Sequence, residues 1–206
     1  MSGRFSILGL IIVLALTLAS VPAGAQTGRT AVQDLVALFS SWDGKRPGAE
    51  LSGAAAKHID YSGMASRAIG QAEWDKLNPG QQREFVSTFR KLVERRYYPR
   101  WHKLFSKGSL SYLSESSANG DVLVRTRLLV GKKRDTLVWR LHQGQGDWMV
   151  VNLTVGEKDL LGRLSTRFQR LMKDDGFEGM MAWLKDKLDE DNEFRSRSGT
   201  PTASRS

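Results

Sequence analysis

Three histidines are the residues best suited to metal binding or proton transfer here: His58, His102 and His142. A helical metal site needs a second ligand three or four positions away, and neither histidine in a helical segment has one. His142 ends a strand beside a turn and reads as a solvated edge residue. The chain has no cysteine, which removes thiolate metal sites, thiol nucleophiles and disulfides together. Carboxylates occur as Asp174-Asp175 at a helix end and as Asp189-Glu190-Asp191 near the C-terminus. Paired carboxylates need a cleft before their pKa values can split, and both groups read as solvated charge. Arg95-Arg96 has the charge to hold a phosphate, but such a pair also fits the polar face of a helix. Gly144-Gln145-Gly146 sits between strands, where a hairpin accounts for it. No nucleophile elbow, Walker loop, dinucleotide fingerprint or His-Glu-x-x-His is present. No catalytic set, metal site or cofactor site emerges.

What the sequence offers instead is apolar surface. Asn78 is a favoured N-cap, Pro79 suits a first helical position, and Gln81 sits where the distal half of a capping box belongs. Beyond that start Phe85, Phe89, Leu92, Val93 and Tyr97 recur at three- and four-residue steps, one face of a helix. Pro99 is expected to end or bend this helix near Tyr98, with Trp101 to Phe105 forming a redirected turn. The stripe is larger and more aromatic than docking on a small sheet requires. It points to a protein built around an apolar pocket.

The N-terminus indicates export. Arg4 supplies a basic start, residues 6–21 are almost uninterruptedly apolar, and Ala23-Gly24-Ala25 is a cleavage signal. The run falls short of the roughly 18–20 residues of a membrane span. A cleaved signal peptide at 1–25 and a soluble periplasmic chain beginning near Gln26 are therefore expected, with an uncleaved N-terminal anchor as the alternative. About 180 mature residues suit one domain, 26–189, with a core of useful size. From 190 to 206 the composition is polar, and a disordered tail is expected there. The chain holds 31 Lys and Arg against 22 Asp and Glu, a formal net charge of +9. After export the acidic partners within reach are lipid head groups and acidic protein surfaces rather than nucleic acid.

Periodicity supplies the elements. Helical spacing covers 30–42 and 61–69, the second with Asp60 as N-cap and Gly70 as terminator; a short helical piece fits 51–57. Period-two alternation then marks strands over 109–115, 121–130, 135–142 and 147–155, joined by short glycine-bearing turns. On the second strand Val122, Val124, Thr126, Leu128 and Val130 share one face, and Arg125 and Arg127 point the other way. Helices over 158–172 and 177–188 follow, separated by Asp174-Asp175-Gly176. The expected fold class is α+β: a four-stranded antiparallel meander with helices before and after it packed on one face, enclosing an apolar pocket.

In order along the chain, the exported signal, His58-Ile59-Asp60-Tyr61-x-x-Met64, Trp74, Gln81-Gln82-x-x-Phe85-x-x-x-Phe89, the meander, Gly146-Asp147-Trp148-Met149-Val150 and Gly176-Phe177-Glu178-Gly179-Met180 resemble the MlaC family. These are periplasmic phospholipid-binding proteins of the Mla lipid transport system, also called toluene-tolerance auxiliary proteins. The resemblance spans roughly residues 30–188. It implies a fold related to the cystatin/NTF2-like group and a monomeric carrier that encloses acyl chains. Such a carrier shuttles phospholipid between an outer-membrane lipoprotein complex and an inner-membrane ABC transporter bearing an MCE-domain protein, without covalent chemistry or cofactor. Leu164-Ser165 stands where the family shows Tyr-Arg, Arg167-Phe168 where it shows Gln-Phe, and Pro99 is atypical. These departures leave the cargo open between a phospholipid and a lipid such as a hopanoid.

The walls expected to face acyl chains are Phe85, Phe89, Val93, Val124, Leu128, Trp139, Val151, Leu153, Leu164 and Phe168. For each, ordinary core packing is the competing role. Two other functions compete with lipid carriage. A periplasmic adaptor with a basic docking surface would have a filled core. A small NTF2-like enzyme would need polar residues converging inside the pocket, whereas the inward strand positions are nearly all apolar.

Overall fold

The computed structural model describes residues 27–144 and 146–198, the last of these from 191 as helix only. The expected signal peptide lies outside the described residues. Six helices precede the sheet: α1 (Gly28–Ser41), α2 (Ala49–Ala55), α3 (Tyr61–Ile69), α4 (Gln71–Trp74), α5 (Pro79–Arg96) and α6 (Tyr98–Phe105). Five strands follow, β1 (Ser109–Ala118), β2 (Asp121–Val130), β3 (Lys133–Gly144), β4 (Asp147–Val155) and β5 (Lys158–Asp159), and then α7 (Leu160–Ser198).

The helix starts obey local chemistry. Asn78 Oδ1 accepts the N–H groups of Gly80 and Gln81 at 2.9 and 3.0 Å, and Gln81 Oε1 accepts the Asn78 N–H at 3.0 Å. This reciprocal pair satisfies donors that the first turn otherwise leaves open. Asp60 caps α3 through a 2.8 Å bond from the Gly63 N–H, and Gly70, at φ 90°, ends it. The long helix stops at Arg96 and the chain resumes as α6, with Pro99 in its first turn. Proline is tolerated there because its missing N–H would have had no helical partner. The bend at Tyr97 turns Trp101 and Phe105 into the core, where they are 5% and 4% exposed.

The sheet is an antiparallel meander in the order β1-β2-β3-β4-β5. Asn119 and Gly120 both take positive φ between β1 and β2, the geometry of the tight turn whose twist matches paired strands. The strand count corrects the four-stranded expectation. After β4 the chain reverses at Gly156, and Lys158 and Asp159 pair back onto Val155 and Thr154 as a fifth, two-residue strand. The last helix therefore starts at Leu160 rather than 158, with Asp159 Oδ1 accepting the N–H groups of Leu161 and Gly162. Two residues are too few to show period two, and Asp159 serves strand and cap at once.

Gly176, at φ 67° and ψ −171°, breaks the helical path of α7, at the break expected after Asp174-Asp175. The helix then runs to Ser198, through the first residues of the segment expected to be a disordered tail.

Val122, Val124, Thr126 and Leu128 of β2, with Leu137, Trp139 and Leu141 of β3, line the inner face of the sheet. Thr126 is fully buried and accepts the Trp139 indole N–H at 3.0 Å, so the one polar group at the centre of that face is satisfied. Helices α1, α3 and α7 pack on the sheet from this side. On the other face Arg125 and Arg127 are exposed.

Candidate functional site

The aromatic stripe on α5 meets α7. Phe85, Phe89 and Phe168 are fully buried and form a triangle with ring centroids 5.4 to 6.1 Å apart; Trp183 extends it at 5.8 Å from Phe168. One turn further along α5 this packing loosens into a crevice. Its walls come from five elements: Met64 of α3; Phe89 and Val93 of α5 with Tyr97 at its end; Trp101 of α6; Val150, Asn152 and Leu153 of β4; and Leu160, Leu161 and Leu164 at the start of α7. All but Asn152 are apolar or aromatic. The cavity measures about 20 Å³, room for roughly one water-sized sphere.

Four of the ten residues expected to face acyl chains line this crevice: Phe89, Val93, Leu153 and Leu164. Phe85 and Phe168 sit beside it in the aromatic triangle. Val124, Leu128, Trp139 and Val151 lie under the helices on the inner sheet face, 0 to 1% exposed. Met64, Tyr97, Trp101, Val150, Asn152, Leu160 and Leu161 complete the wall and are not among the ten residues that the sequence pattern picks out. Met64 and Val150 fell within motifs noted for other reasons. Tyr97 and Trp101 belonged to the stripe, but the Pro99 bend hid which way they would face.

Polar groups gather at the Tyr97 end of the crevice. Arg100 lies 5.8 Å over the Tyr97 ring, and Arg96 and Arg163 are close enough to act on its phenol, which burial pushes above its usual pKa. The Trp101 indole nitrogen is buried and has no hydrogen-bond partner. Asn152 is engaged elsewhere, donating from Nδ2 to Asp159 Oδ1 at 2.9 Å and accepting the Leu153 N–H at 2.8 Å. Beyond the crevice the hydroxyls of Tyr61 and Tyr98 hydrogen-bond each other in the core, and Arg90 lies 5.0 Å over the Tyr61 ring. Burial pushes both phenols well above the usual tyrosine range, and for Tyr61 the neighbouring Tyr98 adds to the rise.

The three histidines lie away from the crevice wall. His102 donates from Nδ1 to the Phe39 carbonyl at 3.0 Å. His58 Nδ1 is buried without a partner, and burial lowers its pKa. His142 Nδ1 stands 3.0 Å from Asp121 Oδ1, and the Arg67 and Arg140 guanidiniums contact the same carboxylate at 3.0 Å each. Burial alone would raise the Asp121 pKa; the hydrogen bonds from Arg140 and His142 and the charges of Arg67 and Arg140 outweigh it and hold the carboxyl below its usual range. Beside this cluster lies a second, open cleft of about 590 Å³, lined by Ser62, Ser66, Arg67, Gln71 and His142 among others. Arg95 donates to the Leu188 carbonyl at 2.8 Å, tying α5 to α7. Among the described residues no group of carboxylates and histidines is placed to hold a metal ion, and no helix is long and apolar enough to cross a membrane.

Apart from the Trp101 indole, the Tyr97 hydroxyl and Asn152, the wall of the crevice is hydrocarbon. A model of one protein family, described as MlaC protein, matches residues 41–186, more than half of the chain. No curated protein matches. Among solved structures, the phospholipid-binding protein from Ralstonia solanacearum in complex with a phospholipid is similar at a TM-score of 0.67 and 20% identity. The match covers 80% of this chain and 96% of that one, and at such identity the likeness is one of fold.

Proposed function

The chain belongs to the MlaC family, and from that premise we propose that it is a periplasmic carrier whose crevice between α3, α5, α6, β4 and α7 takes up phospholipid acyl chains. The observation that carries the reading is the wall itself: ten apolar or aromatic side chains from five elements, with one asparagine already engaged. The phospholipid bound by the similar Ralstonia protein supports the same class of ligand. In this reading residues 1–25 are the signal peptide and 26–189 the carrier domain.

Energetics decide whether so narrow a crevice suffices. Transfer out of water is worth about 0.8 kcal/mol per methylene, so one acyl chain of roughly sixteen carbons gains on the order of 12 kcal/mol. Parting the walls around such a chain replaces wall-to-wall contact by wall-to-ligand contact and exposes little of either to water. The segments best placed to give way are the bend at Tyr97 between α5 and α6 and the turn at Gly156 before α7. The Gly156 turn lies outside any helix and can shift without breaking helical hydrogen bonds. At the bend the Tyr97 N–H stays on the Val93 carbonyl and the Trp101 N–H on the Tyr97 carbonyl, so α6 has to swing about those two bonds. Phe85, Phe168, Val124, Leu128, Trp139 and Val151 then stand behind the first wall, where a deeper chain would reach them. Trp101 brings a buried donor without a partner to that wall, suited to an ester oxygen of the ligand.

Transfer between an outer-membrane lipoprotein complex and an inner-membrane MCE-domain transporter, by a monomeric carrier without cofactor or covalent step, completes the proposal. Organic extraction of protein purified from the periplasm, followed by mass spectrometry, tests it. Stoichiometric phospholipid on a chain starting near Gln26 is expected. Repeated native preparations without bound lipid would sink the reading, and a stoichiometric hopanoid would move it to the other cargo.

A further inference from the structure

The uncovered face of the sheet carries a pattern the crevice does not explain. Its outward positions on β2 and β3 include Arg125, Arg127, Arg134 and Arg140. Arg125 pairs with Val138 and Arg127 with Thr136, so Arg140 and Arg134 are their diagonal neighbours. Diagonal positions lie about 7–8 Å apart, and positions two apart along a strand about 7 Å. The four arginines therefore form one continuous zigzag, Arg134-Arg127-Arg125-Arg140, with each neighbour within a Debye length of roughly 8 Å. The outward carboxylate on β1 to β3, Asp121, lies at one end, 3% exposed and bound by Arg67, Arg140 and His142. Among the described residues Arg125, Arg127 and Arg134 have no carboxylate partner. Four serines of β1 (Ser109, Ser111, Ser114 and Ser116) face this zigzag across the β1–β2 ladder. The large exposed apolar side chains among the described residues, Leu113 at 45% and Leu129 at 38%, lie on the same two strands.

We propose that this sheet face docks on the anionic phospholipid head groups of a bilayer, a contact separate from the crevice that encloses acyl chains. Guanidinium forks fit phosphate oxygens two at a time, and neighbouring charges within a Debye length act together on them. Serine hydroxyls add short donors between the forks, and the two leucines reach the boundary between head groups and acyl chains. A fluid surface can bring phosphates to whatever spacing the zigzag presents. An acidic protein would need fixed carboxylates at that spacing. The helical side has a basic group of its own, Arg96, Arg100 and Arg163 around Tyr97, but it stands at the crevice, whereas the sheet arginines stand on a face with no other assigned role.

Co-sedimentation of the full mature protein with vesicles tests this, because it reads docking and not lipid carriage. Vesicles of equal parts phosphatidylglycerol and phosphatidylcholine are expected to bind the protein in a salt-sensitive way, and phosphatidylcholine alone is not. A basic residue near such a surface contributes enough that Arg127→Ser alone should weaken binding about fivefold and Arg125→Ser/Arg127→Ser about 30-fold. Arg83→Ser/Lys91→Ser, on the exposed side of α5, removes the same charge and should leave binding within about twofold of wild type. All three variants replace exposed residues, and unchanged melting temperatures check that they fold. Equal loss in both double variants would reduce the effect to net charge and overturn the assignment. So would equal binding to the two vesicle types, or no binding to either, including the case in which the face captures only an acidic protein. Bound lipid in the extraction experiment stands or falls independently of these outcomes.

Discussion

Tyr61 and Tyr98 bring two hydroxyls together in the core, each 6% exposed or less, with each phenol the other's hydrogen-bond partner. Removing one hydroxyl leaves the other buried and unpaired, which costs about 1–3 kcal/mol; removing both with phenylalanine of the same shape costs much less. Tyr61→Phe and Tyr98→Phe should each destabilise by about 1–3 kcal/mol in urea unfolding, and the double variant by less than the sum. The same pair sets an alkaline limit. Burial raises both folded-state pKa values above the usual tyrosine value of about 10. Their contribution is fully present below that pH and is lost as pH rises above it, because the unfolded chain ionises first. Stability should fall from about pH 10 upward, and Tyr61→Phe/Tyr98→Phe should flatten that slope; an unchanged slope in the double variant would refute the assignment. None of this was legible in the sequence. In the sequence Tyr61 marks only a helix start and part of a family motif and Tyr98 only the site of a bend, and 37 residues separate them.

At the scale of elements, what the sequence showed depended on whether the cause of an element is local. The start of α5 was legible because Asn78, Pro79 and Gln81 act within one turn. Asn78→Ala should cost about 1–2 kcal/mol in chemical denaturation, and Asn78→Gly only a few tenths, since glycine leaves the turn accessible while losing the side-chain bond. Comparable losses in the two would mean that Asn78 acts through something other than its cap. Asp60 and Gly70 bounded α3 by the same local logic, and period two exposed the four long strands. Both successes rest on interactions between residues a few positions apart. The fifth strand was hidden because Lys158 and Asp159 are defined by pairing to Thr154 and Val155, and two residues carry no periodicity. The crevice was half legible for a related reason. The spacing put Phe89, Val93, Leu153 and Leu164 on inward faces, but five elements must converge before one can say which inward residues line the gap and which fill the core behind it.

On the two proposals above, the molecule as a whole divides labour between its two sides. The helical side is joined to the sheet by an apolar core and holds the crevice; the bare sheet face carries the arginine zigzag. A ligand bound between the elements of the helical side touches α3, α5, α6, β4 and α7 together, so it stabilises their mutual packing and not one element alone. A ligand present at a hundred times its dissociation constant adds about 2.7 kcal/mol to the folded state. For a domain of this size each kcal/mol moves the melting temperature by about 2–4 °C. Protein stripped of lipid and refolded should therefore melt about 5–10 °C below the loaded form, and adding phospholipid back should restore the difference. The shift separates the crevice from the sheet face: Arg125→Ser/Arg127→Ser should leave it intact, because those side chains point away from the core. Widening the first wall gives the converse. Leu164→Ala removes a half-buried side chain that lines the crevice, so it should destabilise the stripped protein by about 1–2 kcal/mol, below the cost of a fully buried leucine. A bound chain that fills the added space recovers part of that loss, and the gap between loaded and stripped melting temperatures should grow. A gap that shrinks instead would place the ligand elsewhere in the molecule.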